Sequence, residues 1–506
     1  MRETGRAAAL MDRVAGRSRR WRLLMLGALG AVTALGQAPV GAWPLSILGF
    51  ALAYGLFRRA AGGRQAAVIG WAFGTGYFLV SLNWIIEPFL VDVARHGWMA
   101  PFALLGLSGG LALFWALALG LGRAVGGGAL GFIGGLGLME LARGYVLTGF
   151  PWAQPGHVLI DTPLLHWASY LGSAGLTALL LLAAVALWRA MTGARWALPA
   201  LGAMALLWPV AAVLTPEAGA GPEAATVRLI QPNAPQHEKW DPDKIQGFFD
   251  RQLAFSAAGE TRPDVIVWPE TAVPVMLENA ARTLEVISDA AGGVPVVVGL
   301  QRRDEMRLFN TLALVEAGGS VAAVYDKHHL VPFGEYMPYG DQLARFGIHG
   351  MAAKDGQGFS SGPGAQVIDM GALGRALPLI CYEGVFAQDL RAAPGRADFI
   401  LLITNDAWFG KFSGPYQHLA QARLRSAEFG LPMIRVANTG VSAMIDATGR
   451  ITDALPLGEA GWRDAALPPP LPPTVYARLG DAPMLAVFLV LLALSRFGHR
   501  RARART

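Results

Sequence analysis

Long apolar runs are the feature that most constrains this chain. A helix that crosses a bilayer needs about 20 predominantly apolar residues, and runs of that order crowd the first 215 positions. A last run, 483–494, reaches about 18 residues if Leu479 and Phe497 bracket it, and it predicts an eighth span. The chain is therefore expected to fold as a polytopic α-helical membrane domain, residues 1–215, with a further helix and a basic tail at 480–506. The seven spans predicted in the first domain lie near residues 22–37, 41–57, 66–86, 98–121, 126–145, 163–188 and 196–214.

The composition of the 506 residues excludes several classes of protein. Hydrophobic residues make up 53% and charged residues 15%, whereas soluble domains have about 25% charged residues, so this is not an ordinary soluble enzyme. The single cysteine, Cys381, excludes an internal disulfide framework and a Cys-based zinc or iron–sulfur site. The adjacent His328 and His329 have no spaced acidic or histidine partner in the sequence. We therefore expect no metal and no other cofactor.

The distribution of charge predicts the topology. Residues 221–480 hold 22 Lys and Arg against 28 Asp and Glu, a net charge of −6, whereas the rest of the chain carries +12. Of the 20 basic residues in that remainder, 18 lie in the two tails and alternate loops, and only Arg95 and Arg143 lie on the other side. Because Lys and Arg gather on the cytoplasmic side, both termini are predicted to be cytoplasmic and the large domain outside. The basic excess thus belongs to the membrane part, and no nucleic-acid partner is expected.

Residues 222–475 have the pattern of an α/β domain. Short β-rich runs alternate with helical stretches, which predicts helices packed on sheets. The predicted strands cover 226–230, 264–268, 294–299, 311–315, 376–380 and 399–403, and the predicted helices cover 244–258, 283–291 and 417–429.

Reactive side chains follow several of these strands. Glu270 comes after the run 264–268, Cys381 comes after 376–380, and Lys327 comes after a strand-like run at 320–324. The carboxyl ends of neighbouring strands form the rim at which α/β sites lie, so a glutamate, a lysine and a cysteine can converge there.

The chemistry of such a set is coherent. A thiol with a pKa of about 8.5 is mostly protonated at neutral pH and needs a base or a cationic neighbour to become a good nucleophile. Glu270 can accept the proton of Cys381, and Lys327 can stabilise the oxyanion formed when the thiolate attacks a carbonyl. Taken singly, each residue also has a purely structural interpretation, as a small buried thiol, a turn or cap residue and a solvated charge.

The sequence around these residues resembles a known family. Trp268-Pro-Glu270, the segment around Lys327 and Cys381-Tyr-Glu-Gly resemble the Glu-Lys-Cys signature of the nitrilase, or carbon–nitrogen hydrolase, superfamily. Longer motifs, set between seven spans and one, resemble a single membrane branch, the apolipoprotein N-acyltransferases. Those longer motifs are Lys327-His-His-Leu-Val-Pro-Phe-Gly-Glu335 and Thr404-Asn-Asp-Ala-Trp-Phe-Gly410. Further motifs agree with this branch: Gln231-Pro-Asn233 and Lys239-Trp240-Asp-Pro at the start of the α/β domain, and Leu82-Asn-Trp84, Glu140-Leu-Ala-Arg143 and Gly149-Phe-Pro-Trp152 in the membrane part.

The resemblance implies a fold and a reaction. The fold is a four-layer αββα nitrilase-like sandwich on the periplasmic face of the bacterial inner membrane. The reaction moves the sn-1 acyl chain of a phospholipid, typically phosphatidylethanolamine, to a cysteine and then to the α-amine of the diacylglyceryl-cysteine of an apolipoprotein. By this resemblance Cys381 is the nucleophile, Glu270 the general base and Lys327 the oxyanion stabiliser. The stretches 333–364 and 408–416 are candidate mobile arms over the site, or ordinary surface loops.

The resemblance also implies supporting residues. Glu335 matches a second functional glutamate that orients Lys327 or assists proton transfer. Tyr382 and Glu383 match residues needed around the nucleophile, and the backbone N–H of Tyr382 is a candidate second oxyanion donor. Trp240 matches an aromatic residue implicated in binding the second substrate.

Two other functions compete with acyl transfer at this point. A membrane-tethered amidase or nitrilase would use the same three residues with water as the acceptor, although a hydrolase of soluble amides would need only one anchor. A receptor or transporter would place ionisable residues near the middle of the membrane, whereas the predicted spans are nearly free of charge.

Two features of the membrane part have alternative interpretations. Glu140 and Arg143 are costly to leave facing lipid; they either pair and brace the loop that contains Phe150 and Trp152, or contact a phospholipid headgroup. The glycines at 126–131 match a G-x-G-x-x-G pattern, but no strand precedes them, so close helix packing is favoured over nucleotide binding.

Overall fold

The structure is a computed structural model that describes residues 6–221, 223–338 and 358–503. Most of the candidate arm 333–364 therefore lies outside the described residues. The α-helices of the described chain are Arg6–Ala15 (α1), Arg19–Ala34 (α2), Trp43–Arg59 (α3), Gly63–Ser81 (α4), Glu87–Leu90 (α5), Val93–His96 (α6), Ala100–Ala124 (α7), Gly128–Arg143 (α8), Ala168–Met191 (α9), Ala197–Leu214 (α10), Ile245–Ala257 (α11), Ala281–Ala290 (α12), Ala387–Arg391 (α13), Gly414–Phe429 (α14), Val475–Leu479 (α15) and Ala482–Arg503 (α16).

Every predicted membrane span coincides with a helix, but not every helix is long enough to cross a bilayer by itself. Within the described residues, four helical stretches have the required length and apolarity: Val93–Ala124, Pro163–Met191, Ala197–Leu214 and Ala482–Arg501. A fifth is added if α4 and the segment Asn83–Leu90, bent by 65°, form one span. The helices α2, α3 and α8 have 16, 17 and 16 residues, or about 24 Å at 1.5 Å per residue. The helical membrane part is thus confirmed, and the count of eight spans stays a prediction.

Helices α7 and α8 pack through glycines at very short range. A Cβ atom on Gly122 would lie 2.1 Å from the carbonyl oxygen of Gly131, and a Cβ on Gly131 would lie 2.4 Å from the carbonyl oxygen of Gly122. Only residues without a side chain allow this approach. The glycine-rich segment 126–131 leads from one helix into another, which confirms helix packing and excludes the strand context of a nucleotide-binding loop.

Glu140 and Arg143, one turn apart on α8, form a buried ion pair. Arg143 Nη2 lies 2.6 Å from Glu140 Oε2, and the arginine and glutamate side chains are 0% and 2% exposed. Arg143 also donates to the carbonyl oxygens of Phe150 and Trp152, and the indole N–H of Trp115 donates to Glu140 at 2.6 Å. The pair therefore braces the following loop, as the first of the two interpretations predicted.

The chain forms two compact units. The first contains the described residues up to Pro216, the segment Phe412–Ala420 and the described residues from Thr474 onward; the second contains Glu217–Lys411 and Gln421–Pro473. Gln417 fixes the segment within the first unit, because its side chain accepts a hydrogen bond from Trp152 Nε1 at 2.7 Å and donates to the carbonyl oxygen of Ser81 at 3.0 Å. The apolar pattern gave no indication of this arrangement.

The second unit is built on two six-stranded sheets. The first has the order β12-β1-β2-β3-β4-β5 and the second the order β11-β10-β9-β8-β7-β6. All the predicted strands and helices of this domain overlap observed ones, whereas β6 and the strands from β9 onward were not predicted. The strands are Thr226–Gln231 (β1), Val265–Val267 (β2), Val296–Asp304 (β3), Arg307–Val315 (β4), Val321–Asp326 (β5), Ile368–Asp369 (β6), Arg375–Ile380 (β7), Phe399–Thr404 (β8), Met433–Ala437 (β9), Ser442–Ile445 (β10), Ile451–Leu455 (β11) and Gly461–Ala466 (β12).

The two sheets pack face to face. Their shared core contains buried apolar side chains from both, and helices α11 and α12 cover the other face of the first sheet. Strands β1, β2 and β3 run parallel, as do β7, β8 and β9, so their carboxyl ends lie on one edge of each sheet. The core side chains include Val227, Leu229, Val267, Ile380, Leu401, Ile403 and Val436.

The last strand returns to the first sheet. β12 follows the strands of the second sheet in sequence, but it pairs antiparallel with β1, with Gln231 opposite Gly461 and Thr226 opposite Ala466. The beginning and the end of this unit are therefore neighbours in one sheet.

Candidate active site

Glu270 follows the end of β2 and is buried, with 7% of its surface exposed. One carboxylate oxygen accepts a hydrogen bond from Asn310 Nδ2 at 2.6 Å, and the other accepts one from the backbone N–H of Asn405 at 2.8 Å. Burial raises the pKa of Glu270, and the positive charge of Lys327 partly opposes this shift. A desolvated, oriented carboxylate of this kind is suited to take up a proton.

Lys327 follows β5 and is buried more completely, with 1% exposed. Its Nζ lies 2.8 Å from Glu335 Oε2 and 4.0 Å from Glu270 Oε1. Burial by itself would lower the pKa of Lys327, but the carboxylates of Glu335 and Glu270 outweigh that effect and raise it. The side chain is therefore a fixed cation at neutral pH. Glu335 also accepts the backbone N–H of Val331 at 2.7 Å, which fixes the orientation of its carboxylate.

Cys381 is the first residue after β7 and has a left-handed backbone conformation, with φ of +52°. Burial raises the pKa of its thiol, the charge of Glu270 raises it further, and Lys327 opposes both. Because Ile380 pairs with Ile403 of β8, the side chain of Thr404 lies beside Cys381 and forms a hydrogen bond with it. The charges of Glu270 and Lys327 thus both act on the thiol, and its raised pKa means that it needs a base.

Glu383 ties the strand end that carries the lysine to the turn that carries the thiol. It is fully buried and accepts the backbone N–H groups of Ile380 at 2.7 Å, His328 at 2.8 Å and His329 at 3.1 Å. It also accepts the hydroxyl of Tyr325 at 2.9 Å. Glu383 therefore fixes the position of both segments relative to each other.

The other two predicted residues lie in different surroundings. Tyr382, next to the thiol, packs edge-to-face on Phe386 with ring centroids 4.8 Å apart, and its ring is 5.7 Å from that of His329. Trp240 is 44% exposed and lines a small cavity together with Thr271 and other residues. The structure thus groups Tyr382 with the thiol and places Trp240 beside the turn that follows Glu270.

Sequence reasoning missed two residues that hold Glu270. Asn310 was given no role, although an amide inside the apolar strand β4 is an available signal, since buried polar side chains need partners. Asn405 lies within the motif 404–410, but the sequence assigns it no function. Its N–H can be linked to Glu270 only once β8 and β2 are known to end at the same place.

The unit of two packed sheets, with a carboxylate, a lysine and a thiol near its strand ends, matches the carbon–nitrogen hydrolases. The carbon–nitrogen hydrolase family model matches residues 226–471, and the model of the apolipoprotein N-acyltransferase N-terminal domain matches residues 29–186. Among solved structures, a carbon–nitrogen hydrolase superfamily protein from Xanthomonas campestris aligns at 20% identity with a TM-score of 0.35, over 54% of this chain and 97% of that protein.

Curated relatives match nearly the whole chain. The apolipoprotein N-acyltransferase of Rhodopseudomonas palustris is 36% identical over 94% of this chain and 95% of its own length. That of Rhizobium leguminosarum bv. trifolii is 38% identical over 88% of this chain and 90% of its own length. The chain belongs to the apolipoprotein N-acyltransferase family.

Proposed function

We propose that this chain transfers the sn-1 acyl chain of a phospholipid, phosphatidylethanolamine foremost, to the N-terminal α-amine of a diacylated apolipoprotein. The observation that carries the proposal is the buried set of Glu270, Lys327 and Cys381: Lys327 Nζ lies 4.0 Å from Glu270 Oε1, and the charges of both groups act on the thiol. The name of the curated relatives supports an apolipoprotein acceptor, and the apolar helices support a lipid donor.

In the first half of the reaction the thiol becomes acylated. Glu270 takes the proton from Cys381 as the sulfur attacks the ester carbonyl, and the ammonium of Lys327 stabilises the oxyanion, with the backbone N–H of Tyr382 as the second donor. The ester C–O bond then breaks, the departing alkoxide takes the proton from Glu270, and a lysophospholipid leaves. The acyl chain remains as a thioester.

In the second half the α-amine of the acceptor attacks the thioester. Glu270 removes a proton from the attacking nitrogen, Lys327 again stabilises the oxyanion, and the C–S bond breaks. The sulfur of Cys381 takes back a proton, and the acceptor leaves as an amide. The same three residues therefore serve both halves of a ping-pong mechanism.

The supporting residues act through these three. Glu335 holds the ammonium of Lys327 in place, since both of its carboxylate oxygens lie within 2.9 Å of Nζ. Glu383 fixes the turn of the nucleophile, and Tyr382 shapes the site beside it. Trp240 is half-exposed and lies next to the turn that follows Glu270, and it is the proposed contact for the second substrate.

The arrangement in the membrane is also part of the proposal. The membrane domain comprises residues 1–215 and the catalytic domain 222–475, with a transmembrane helix and basic tail at 480–506. We assign eight spans, with both termini in the cytoplasm of a bacterium, and a four-layer αββα domain in the periplasm at the inner membrane. The basic residues of the tails and alternate loops support this orientation.

A two-substrate assay tests the function. Purified full-length protein is given phosphatidylethanolamine with a labelled sn-1 chain and a diacylated lipopeptide with a free α-amine. We expect label on the peptide amine and none on the same lipopeptide with an acetylated amine. Release of the label only as free fatty acid would contradict the proposal and support the hydrolase. The variant Cys381→Ala is expected neither to transfer label to the peptide nor to release it as free fatty acid.

A further inference from the structure

A buried lysine next to the base has no part in the mechanism above. Lys239 lies on the loop after β1, and only 7% of it is exposed. A lysine is seldom buried unless it is paired, and its partners therefore indicate its role.

The ammonium of Lys239 binds the turn that carries the base. Its Nζ donates to the backbone carbonyl oxygen of Glu270 at 3.0 Å and to Thr271 Oγ1 at 2.9 Å. It also lies 5.5 Å from the centroid of the Trp240 ring, within the range of a cation–π contact. The two hydrogen bonds go to the main chain of Glu270 and to the side chain of Thr271, whereas the carboxylate oxygens of Glu270 are held by Asn310 and Asn405.

That turn is strained. Thr271 has φ of +47°, a conformation that a β-branched residue rarely adopts because its Cβ clashes with the backbone. On its other side the turn lies against β3, where a Cβ on Gly299 would come within 2.4 Å of the Pro269 carbonyl oxygen and 2.7 Å of Glu270 Cα. The backbone N–H of Ala272 donates to the Gly299 carbonyl oxygen at 2.7 Å. The strained peptide is therefore clamped between β3 and Lys239.

We propose that Lys239 is a positioning residue for the catalytic base: its ammonium holds the Glu270–Thr271 peptide in the strained turn that aims the carboxylate at Cys381. This inference rests on the proposed role of Glu270 as the base. Because Lys239 contacts the main chain of Glu270, it acts on the direction of the carboxylate and, through its charge, on its protonation.

The electrostatics agree with this role. In the described chain, the titratable groups that face Glu270 are Lys327, Glu335, Lys239 and the thiol of Cys381, and the positive charge of Lys239 favours the deprotonated carboxylate. Burial lowers the pKa of Lys239 to about 8, while Glu270 opposes that shift. The lysine is thus charged at neutral pH, and removing it would raise the pKa of Glu270 further.

The variant Lys239→Met tests the inference, because methionine keeps the length of the side chain but removes the donors and the charge. Lys244→Met is the matched control, since Lys244 lies on the same loop, is 46% exposed and pairs with Glu238 at 2.9 Å. The readouts are the rate of thioester formation from phospholipid and the rate of alkylation of Cys381 by iodoacetamide. Both are measured against pH on detergent-solubilised full-length protein.

We expect Lys239→Met to slow both reactions by about tenfold to a hundredfold at pH 7 and to move the acid limb of the alkylation profile upward by about one pH unit. Lys244→Met should match the unmodified protein. If Lys239→Met does not accumulate, Thr271→Val removes one of the two acceptors and should shift the profile in the same direction by less.

The possible failures can be told apart. The alkylation profile of Lys239→Met could superimpose on that of the unmodified protein while the melting temperature alone is lower. That result would overturn the positioning role and would leave the proposed acyl transfer unaffected. An upward shift of the alkylation profile in a protein that never forms the phospholipid-derived thioester would support the positioning role and contradict the proposed function.

Discussion

At the scale of single residues, the thiol of Cys381 is protonated at rest. Burial and the charge of Glu270 raise its pKa, and Lys327 offsets only part of that shift. A thiolate therefore forms only as Glu270 takes the proton, at the moment when a carbonyl is in position to be attacked. This arrangement makes the reactivity of the lone cysteine depend on Glu270, toward the substrate and toward any other electrophile that reaches the thiol.

The first prediction concerns the protonation of the base. Glu270 must be deprotonated to accept the proton, and burial raises its pKa. Thioester formation should therefore decrease as the pH falls, with a midpoint above the ordinary glutamate value of about 4.3. Lys327 stays charged across this range because its pKa is raised. The measurement is the acyl-sized mass increment on intact protein, removable with hydroxylamine, at a series of pH values.

Glu270→Gln is the companion variant. Loss of the base should slow thioester formation by about 10² to 10⁴-fold, and Cys381→Ala should show no increment at any pH. If the glutamine variant acquired the acyl group at the normal rate, Glu270 would have no part in the first half of the reaction.

At the scale of elements, the site depends on how closely the strand ends approach. β3 comes so near the turn after β2 that a Cβ on Gly299 would meet the backbone of Glu270 and its neighbours. Gly299→Ala should therefore displace the base and destabilise the domain by about 1–3 kcal/mol. A lower melting temperature and reduced thioester formation would report this displacement.

A glycine in open space provides the control. A methyl group on Gly247 of α11 would meet no atom within 4 Å beyond its own helix and chain neighbours, and Gly247→Ala should be neutral or slightly stabilising. Equal effects of the two substitutions would show that the close approach of β3 has no bearing on the site.

His328 makes the link between β5 and the Cys381 turn dependent on pH. Burial lowers its pKa, but hydrogen bonds to Asp389 and Glu383 and their charges raise it to about 10. Since the usual value is about 6.5, its contribution to stability is complete below that pH and is lost as the pH rises toward about 10. The melting temperature of His328→Gln should fall furthest below that of the unmodified protein in the acidic range.

His237→Gln is the matched control for this prediction. His237 is 64% exposed and its acidic neighbour, Glu238, is 3.5 Å away, so its replacement should change the melting temperature little. If the melting temperatures of His328→Gln and the unmodified protein differed by the same amount at all pH values, a charged His328 would not be what stabilises this part of the protein.

At the scale of the whole molecule, the orientation in the membrane can be tested with single cysteines. In a Cys381→Ala background, Met306→Cys lies in the α/β unit at a position that is 75% exposed, and Arg195→Cys lies in an exposed basic loop between α9 and α10. A membrane-impermeant maleimide should label the first in intact spheroplasts and the second only after lysis. The reverse pattern would overturn the assigned topology.

The sequence predicted most of what depends on local pattern. Apolar runs placed the membrane helices, and short β-rich runs ending in Glu270, Lys327 and Cys381 predicted both the sheets and the composition of the site. Asn310, Asn405 and Lys239 received no function because their partner, Glu270, is supplied by a distant segment. Their contacts exist only after β2, β4 and β8 are assembled, and no local periodicity encodes them.

The late strands were missed for a related reason. β9 and β10 are short, and β11 and β12 carry polar residues on partly exposed faces, so their local apolar signal is weak. Their pairing in the sheets stabilises them, and that pairing is long-range.

The pairing of β1 with β12 has a consequence for the order of synthesis. The strand that opens the α/β unit pairs with β2, which follows soon after it, but it meets its other partner only when Gly461–Ala466 emerges, more than two hundred residues later. Contacts of such sequence separation form slowly because the intervening chain must first be ordered. The first sheet therefore gains its last strand only when nearly the whole protein has been translated, and a truncated chain that ends before β12 leaves β1 as an unpaired edge of that sheet.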